Sequence, residues 1–564
     1  MSKSDAVLNI ILLLISLLGS GLVFFVPFIK SKAKFGEFVK NNKDYVLAFL
    51  ALFIGSITRL CLLDVFPCGL NQDEASAGYD AYSIMKYGTD RNGMAYPVHL
   101  ISWGSGQNAL YSYLAIPFLA LLGNTTIAIR LPMALVGTVS LYFLYFAFDK
   151  VLSRKSAIIS TSLLAILPWH VMKSRWALES NLFPDLILWG ILLLLLWSYY
   201  GKNIFFYLSC IVFSLSSYSY GTSYFFLFFF IISLLVYLAI KRYQKWYHCI
   251  MYLILTGILC MPIILFLYIN LFDKSTMHVL WFDIPKLKVD RFHSVTSLFS
   301  DSFLHDMFSH LKQGLWLIIS QNDSLSWNAI PYFGTLYLFT LPFSFLGLFR
   351  FKDRRERILT GIDKKATTDS TLYFLLIASF IISLAMMLIL DVNINRINII
   401  WIPLFLSACH GFETIIERIP RFRFPLSALY TASYLCFVFY YPIKWCRDDI
   451  NPSFFQGFEE CVDYIKDKEA ADIYVTPKGN YTLVLYYSEF DTREYIKTVE
   501  FYNPGSAFEN PKSFANYHFY LPTTIEEGNL YIVQKTDDFN KLDFSSYHTK
   551  YFKDFLVVDT TLKD

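Results

Sequence analysis

The sequence predicts an all-α polytopic membrane protein, of about twelve spanning helices with interfacial helices beside them. A small extracytoplasmic α/β domain is expected at the C-terminal end. Two observations carry this. Of 564 residues, 55% are hydrophobic and only 16% are charged, and mean hydropathy is +0.43. A soluble chain is about a quarter charged. The charges are also unevenly placed. Residues 1–442 hold 35 Lys+Arg against 24 Asp+Glu, whereas 443–564 hold 13 against 21. A basic excess in a polytopic chain marks its cytoplasmic loops, so it requires no nucleic-acid partner.

A spanning helix needs about 20 mostly apolar residues. Such runs fall near 7–28, 45–65, 126–148, 157–171, 182–200, 203–219, 222–240, 249–270, 331–350, 371–390, 398–414 and 425–442. The first is long and no small-residue cleavage site follows it, so it reads as an anchor rather than a signal peptide. If the helices alternate, basic loops 29–44, 149–156, 241–248, 351–370 and 415–424 share one side. That side is the cytoplasm. The apolar run 108–122 would invert this arrangement if it spanned, so it is expected to lie along the outer interface. Three regions are therefore expected: an N-terminal anchor with its basic loop (1–44), a transmembrane domain carrying the candidate catalytic residues (45–442) and a soluble extracytoplasmic domain (443–564). In the last, Asp472–Thr476, Tyr481–Tyr487, Leu530–Gln534 and Phe555–Val558 read as strands and Gly457–Asp467 as a helix.

The nine cysteines form no CxxC and no Cys/His cluster, so no structural zinc site is expected, and no residue is assigned as a metal ligand. Cys446 and Cys461 share the polar tail, where a disulfide is one option.

Chemistry is expected on the short outer loops, whose charges have no topological duty. The first opens with Asp73-Glu74, adjacent carboxylates at a helix end. They read either as a solvated pair, or as a base for an acceptor hydroxyl or amine, or as help in holding a metal. Tyr79, Tyr82 and Met85-Lys86 follow at helical spacing and Gly88 closes the helix. Trp103, Gln107 and Tyr111 lie in a Gly- and aromatic-rich stretch, suited to stacking on a sugar or to an aromatic belt. The second loop packs His170, Lys173, Arg175 and Glu179 into ten residues. Cations there run against the charge bias, and arginine and lysine hold phosphate well; an Arg175–Glu179 pair at i,i+4 is the structural alternative. Arg130 is expected to contact a nearby carboxylate. Arg396, among asparagines in 391–398, is either an anion site or a lone exposed arginine. Tyr224, after Tyr218 and Tyr220, follows a polar break that faces outward, and Asn322-Asp323 is a weaker candidate.

As an ordered set, these residues resemble the membrane glycosyltransferases that use polyprenyl-phosphate-linked sugars, the GT-C fold superfamily of protein O-mannosyltransferases and lipid A aminoarabinose transferases. Asp73-Glu74 looks like the family's acidic pair. Tyr79 to Gly88 looks like the helix after it, and Leu110 to Gly123 with Ala128 to Pro132 like the second interfacial helix and next span. Pro168 to Glu179 looks like the second outer loop, and Arg396 like the late-loop arginine. The likeness covers about 60–440. Glu179 stands where many relatives carry aspartate, Gln107-Asn-Ala-Leu-Tyr replaces a Pro-rich stretch, and an extra span precedes the usual first one.

The resemblance implies an inverting sugar transfer on the extracytoplasmic face of a bacterial plasma membrane. The donor would be a polyprenyl-phosphate-linked sugar, and the acceptor an envelope glycan, lipid or protein. Asp73 would be the base, with Glu74 and Glu179 positioning the acceptor or a divalent cation, the one cofactor left open. Lys173, Arg175 and Arg396 would neutralise the departing phosphate. Tyr79, Trp103, Gln107, His170 and Tyr224 are the candidate substrate contacts. The rival readings are a transporter of lipid-linked glycans, which needs charges inside spans, and a non-catalytic assembly partner. Arg59, Asp185 and His410 are the charges nearest to that requirement.

Overall fold

A computed structural model describes residues 3–289, 296, 302–356, 364–476, 480–535 and 542–562. Arg357 of the expected basic loop 351–370 lies outside them. Long apolar runs fold as helices, because backbone groups out of reach of water must be satisfied within the segment. In chain order these are α1 (Lys3–Ser31), α2 (Phe35–Asn41), α3 (Lys43–Leu60), α4 (Gln72–Tyr87), α5 (Leu110–Leu122), α6 (Thr126–Val151), α7 (Arg154–Ile166), α8 (Pro168–Lys173), α9 (Glu179–Tyr200), α10 (Asn203–Ser216), α11 (Ser223–Lys241) and α12 (Trp246–Leu271). They continue with α13 (Phe303–Ser320), α14 (Leu341–Glu356), α15 (Lys364–Ile389), α16 (Trp401–Arg418), α17 (Arg423–Tyr440), α18 (Phe458–Ile465), α19 (Asn480–Tyr487) and α20 (Thr492–Thr498).

Among the described residues, eight helices are long and apolar enough to cross a membrane, fewer than the twelve expected. The protein is an integral membrane protein built on these helices. The expected spans 157–171 and 203–219 fold as α7 and α10, of 13 and 14 residues. At 1.5 Å per residue each reaches about 20 Å, short of a hydrocarbon core of about 30 Å. The same arithmetic applies to α5, whose 13 residues suit the interfacial role expected of 108–122.

The chain divides into two compact units. The first comprises residues 1–62, 133–261 and 293–441. In it α1 packs on α3, α3 on α7, α9 on α10 and α14 on α16. The last pair meets backbone to backbone: a Cβ on Gly347 would strike the Ser407 carbonyl, and one on Gly411 the Phe343 carbonyl. Small residues at such a crossing allow dense packing where lipid supplies no hydrophobic drive.

The second unit comprises residues 63–132, 262–292 and 442–564. Its C-terminal part is a seven-stranded sheet. After β1 (His99–Leu100), β2 (Gln107–Asn108), β3 (Met277–Val279) and β4 (Phe282–Ile284) in earlier loops, the strands are β5 (Ile473–Val475), β6 (Glu500–Phe501), β7 (Pro511–Phe514), β8 (Tyr517–His518), β9 (Leu530–Gln534), β10 (His548–Phe552) and β11 (Phe555–Asp559), and the order is β10-β11-β9-β5-β8-β7-β6. β5 pairs in parallel with both β8 and β9, and the other ladders are antiparallel. Tyr474, Tyr531, Val533, Leu556 and Val558 build the core of one face.

Three of the four expected strands are present there. The fourth, Tyr481–Tyr487, is instead helix α19. Leu483, Val484, Leu485 and Tyr486 are all fully buried, so no face alternates, and periodicity cannot separate a strand from a buried helix in such a run. Helix α19 packs against α4 and α18. Cys446 and Cys461 are buried free thiols, so the disulfide considered from the sequence is not formed.

Candidate active site

In the second unit the acidic pair opens α4. Asn71 caps that helix: its Oδ1 accepts the Asp73 N–H at 2.9 Å, and its own N–H donates to Glu74 Oε2 at 2.9 Å. This is a capping box, which satisfies two otherwise orphaned donors. It also separates the two carboxylates. Glu74 turns inward to Arg130, whose Nε donates to Oε1 and Nη2 to Oε2, each at 2.8 Å. Arg130 further donates to the carbonyls of Leu63 (2.7 Å), Pro67 (2.6 Å) and Gly69 (2.7 Å). Both side chains are completely buried. Five charge-assisted bonds thus join the start of α6, the 63–69 loop and the N-terminus of α4, and Arg130 has the carboxylate partner expected for it. Asp73, one residue earlier on the helix, is half-buried.

Tyr79 is buried on α4, with its hydroxyl donating to the Phe490 carbonyl (2.9 Å) and lying 3.0 Å from Thr492 Oγ1. Burial pushes its phenol well up. Gly78 beside it lets α4 close on the ring of Tyr486. The arrangement holds α4 to the C-terminal part of the unit.

Beneath α4 lies a cluster that sequence reasoning passed over. Arg91 Nη2 donates to Ser76 Oγ (2.5 Å) and Ser102 Oγ (2.8 Å), and stands 3.4 Å from Asp80 Oδ2. Asp90 Oδ1 accepts the N–H groups of Asn92 (2.8 Å) and Met94 (2.9 Å). Desolvation, then the charge of Asp80, raises the Asp90 carboxyl to about 7. Gln107 belongs to this cluster: its Oε1 accepts from Ser76 Oγ at 3.4 Å, and it sits in the β1–β2 ladder, His99–Leu100 paired with Gln107–Asn108. The Trp103 ring lies 5.6 Å from the Arg91 guanidinium. The available signal was Ser76 and Asp80 four apart on one helix face, with Asp90-Arg91 just past the Gly88 C-cap.

In the first unit the second-loop cations are built into the protein. Lys173 is buried and paired with Asp185 of α9, and donates to the Asn181 carbonyl at 3.3 Å. His170 bridges two further groups. Its Nε2 lies 3.0 Å from Asp185 Oδ1 and its Nδ1 2.8 Å from Arg59 Nη2. Ser140 donates to Asp185 at 2.6 Å, and Arg59 also donates to the carbonyls of Gly55, Leu164 and Ala165. Arg59, His170, Lys173 and Asp185 are thus one buried network, in which Arg59 and Asp185 face each other across His170. Arg175 donates to the carbonyls of Thr58 (2.6 Å) and Leu62 (2.7 Å) at the end of α3, where a cation also suits the helix dipole. Glu179 begins α9 and Tyr224 lies in the first turn of α11, both half-buried. Arg396 pairs with Asp391 in its own loop. Asp323 Oδ2 ties that loop down, accepting from Asn328 Nδ2 (2.8 Å) and from the Ile394 N–H (2.9 Å).

Among the described residues no group of three or more His, Cys, Asp or Glu could hold a metal ion. Within the first unit, Lys173, His170 and Asp185 come together, and Arg175 reaches the end of α3. Within the second, Glu74 with Arg130 and Gln107 with Ser76 and Arg91 do so.

No family model matches the sequence, and no curated protein sequence is similar to it. Solved structures are. ArnT from Cupriavidus metallidurans bound to undecaprenyl phosphate is 10% identical and superposes with a TM-score of 0.51, over 91% of this chain and 97% of that one. The archaeal oligosaccharyltransferase AglB from Archaeoglobus fulgidus, in complex with an inhibitory peptide and a dolichol-phosphate, is 11% identical with a TM-score of 0.46 over 80% of this chain. The chain spans 64% of the length of that archaeal enzyme. The likeness to ArnT runs through nearly all of both chains. The chain has the GT-C fold of membrane glycosyltransferases.

Proposed function

We propose that the protein transfers a sugar, with inversion, from a polyprenyl-phosphate-linked donor to a cell-envelope glycan, lipid or protein on the extracytoplasmic face. The observation that carries this reading is the end-to-end likeness to a structure that holds undecaprenyl phosphate. A donor with a polyprenyl tail stays in the bilayer, so its enzyme must be a membrane protein.

Asp73 is the base that takes the proton of the acceptor hydroxyl or amine as the sugar's anomeric carbon is attacked. Its half-buried place on the first turn of α4 keeps a carboxylate at a helix N-terminus, where a negative charge is favoured. Glu74 acts through Arg130 by fixing the helix that carries Asp73, and Glu179 orients the acceptor. Arg175, Lys173 and Arg396 stabilise the negative charge that develops on the departing phosphate, a term that is usually large. Lys173 does so only after exchanging Asp185 for phosphate, which makes Arg175 the stronger of the two assignments. Transport of the intact lipid-linked glycan is disfavoured by the closed pairing of Arg59, His170, Asp185 and Lys173.

The test is turnover of a polyprenyl-phosphate-linked sugar by the purified chain in vesicles, following release of polyprenyl phosphate and the anomeric configuration of the product. Transfer with inversion supports the reading. Movement of the intact donor between leaflets without release of polyprenyl phosphate overturns it.

A further inference from the structure

After α12 the chain forms a tight hairpin in the second unit, β3 (Met277–Val279) and β4 (Phe282–Ile284), with Met277 opposite Ile284 and Val279 opposite Phe282. Its turn is Leu280-Trp281. Turn positions with positive φ usually take Gly or Asn, yet Leu280 has φ 56°. These two large apolar residues are also 85% and 70% exposed. Leu271, Phe272 and Met277 are exposed alongside them.

The base of the hairpin is fixed to the last turns of α12. Ile284 and Leu287 pack with Phe266, Ile269 and Ile101. Asn270 Nδ2 donates to the Pro285 carbonyl at 3.1 Å, and its Oδ1 accepts the Leu287 N–H at 2.8 Å. Since α12 has the length and composition of a span, its end lies at a membrane surface, and the hairpin bound to that end does too. Trp is enriched at that depth, where its ring is apolar and its N–H reaches water.

The other side of the hairpin grips the loop after α4. Buried Asp283 accepts the Ala95 N–H on Oδ2 (2.8 Å), and backbone bonds join Asp283 to Ala95 (2.8 Å) and Val98 (3.1 Å). That loop carries Arg91, which binds Ser76 and Asp80 of α4 as described above.

We propose that this hairpin is a membrane-surface anchor. Its Leu280-Trp281 tip enters the boundary between headgroups and acyl chains of the leaflet at which α12 ends, and through Asp283 and the 89–98 loop it sets the depth of α4. The occupant is lipid rather than a second copy, because the patch is continuous with the lipid-facing end of a span. The anchoring stands independently of sugar transfer; its use, holding Asp73 level with a lipid-linked donor, rests on that reading.

Photo-crosslinking tests the anchor. The full chain with Trp281→p-benzoylphenylalanine is placed in phosphatidylcholine–phosphatidylglycerol vesicles and irradiated, beside a control carrying the same group in place of Tyr551, exposed on β10. Lipid adducts at 281 and not at 551 are expected. Chain-to-chain adducts, or no lipid adduct at 281, overturn the anchor. The Leu280→Ser/Trp281→Ser double variant, whose changes fall on exposed side chains, is expected to raise KM for the lipid-linked donor and leave kcat unchanged. An unchanged KM with lipid adducts at 281 overturns the depth-setting role. If the wild-type chain transfers no sugar while the adducts form, the functional reading fails and the anchor stands.

Discussion

Two charged corners of this protein solve the same problem differently. In the second unit, adjacent carboxylates part company at a helix start: Glu74 is sealed against Arg130, and Asp73 is left half-buried on the same turn. In the first unit acid and base are buried together, Lys173 held by Asp185, and Arg175 is laid on the carbonyls that end α3. A charge on a short loop is thus no guide by itself to chemistry. What separates the roles is how deeply the side chain is buried with its partner.

That contrast can be broken at four points. The largest effect is expected on activity at Asp73. Asp73→Asn removes a general base, a change that lowers kcat by about 10²–10⁴-fold, while Asn71 still caps the helix through the backbone N–H of residue 73. Next, Arg130→Met leaves Glu74 buried without its cation. Breaking a buried pair in this way costs about 3–5 kcal/mol, so the variant should melt far below wild type and lose activity through folding; an unchanged melting temperature would show that Glu74 is not held by this pair. Asp185→Asn should follow with about 3 kcal/mol, because it strands Lys173 in the interior. If the variant's stability is intact and donor affinity rises, Lys173 was restrained by Asp185 and freed for phosphate.

The smallest effect, taken per pH unit, is a pH dependence. Asp90 is about 7 in the folded chain and about 4 in an unfolded one. Between those values only the folded state holds the proton, so stability declines as pH rises, by roughly 1 kcal/mol per unit, and levels off above about 7. Asp90→Asn keeps an acceptor for the N–H groups of Asn92 and Met94 and should flatten that slope. A slope equal to wild type in melts at pH 5, 6 and 7 would assign the proton elsewhere.

The sequence made the membrane class legible, since hydropathy follows from composition alone, and three of the four tail strands, which are short runs rich in Val, Ile and aromatic residues. It made α19 look like a strand, because a continuous apolar run carries no period to read. It also overcounted spans: the apolar runs at 157–171 and 203–219 fold as helices of 13 and 14 residues, too short to cross a bilayer. In the site, the ordered charges were visible, and so was a carboxylate partner for Arg130. The partners of Lys173 and His170 were not, because Asp185 lies inside an apolar helix, and the Arg91 cluster was not, because serines and a glutamine carry no pattern until the chain folds.

Turnover by purified wild-type chain and Asp73→Asn, compared in the same vesicles with the same polyprenyl-phosphate-linked sugar and with matched melting curves, tests the central claim most directly. Transfer with inversion by the wild type, together with a loss of about 10²-fold or more in the folded variant, is the predicted result. Full transfer by folded Asp73→Asn would contradict it.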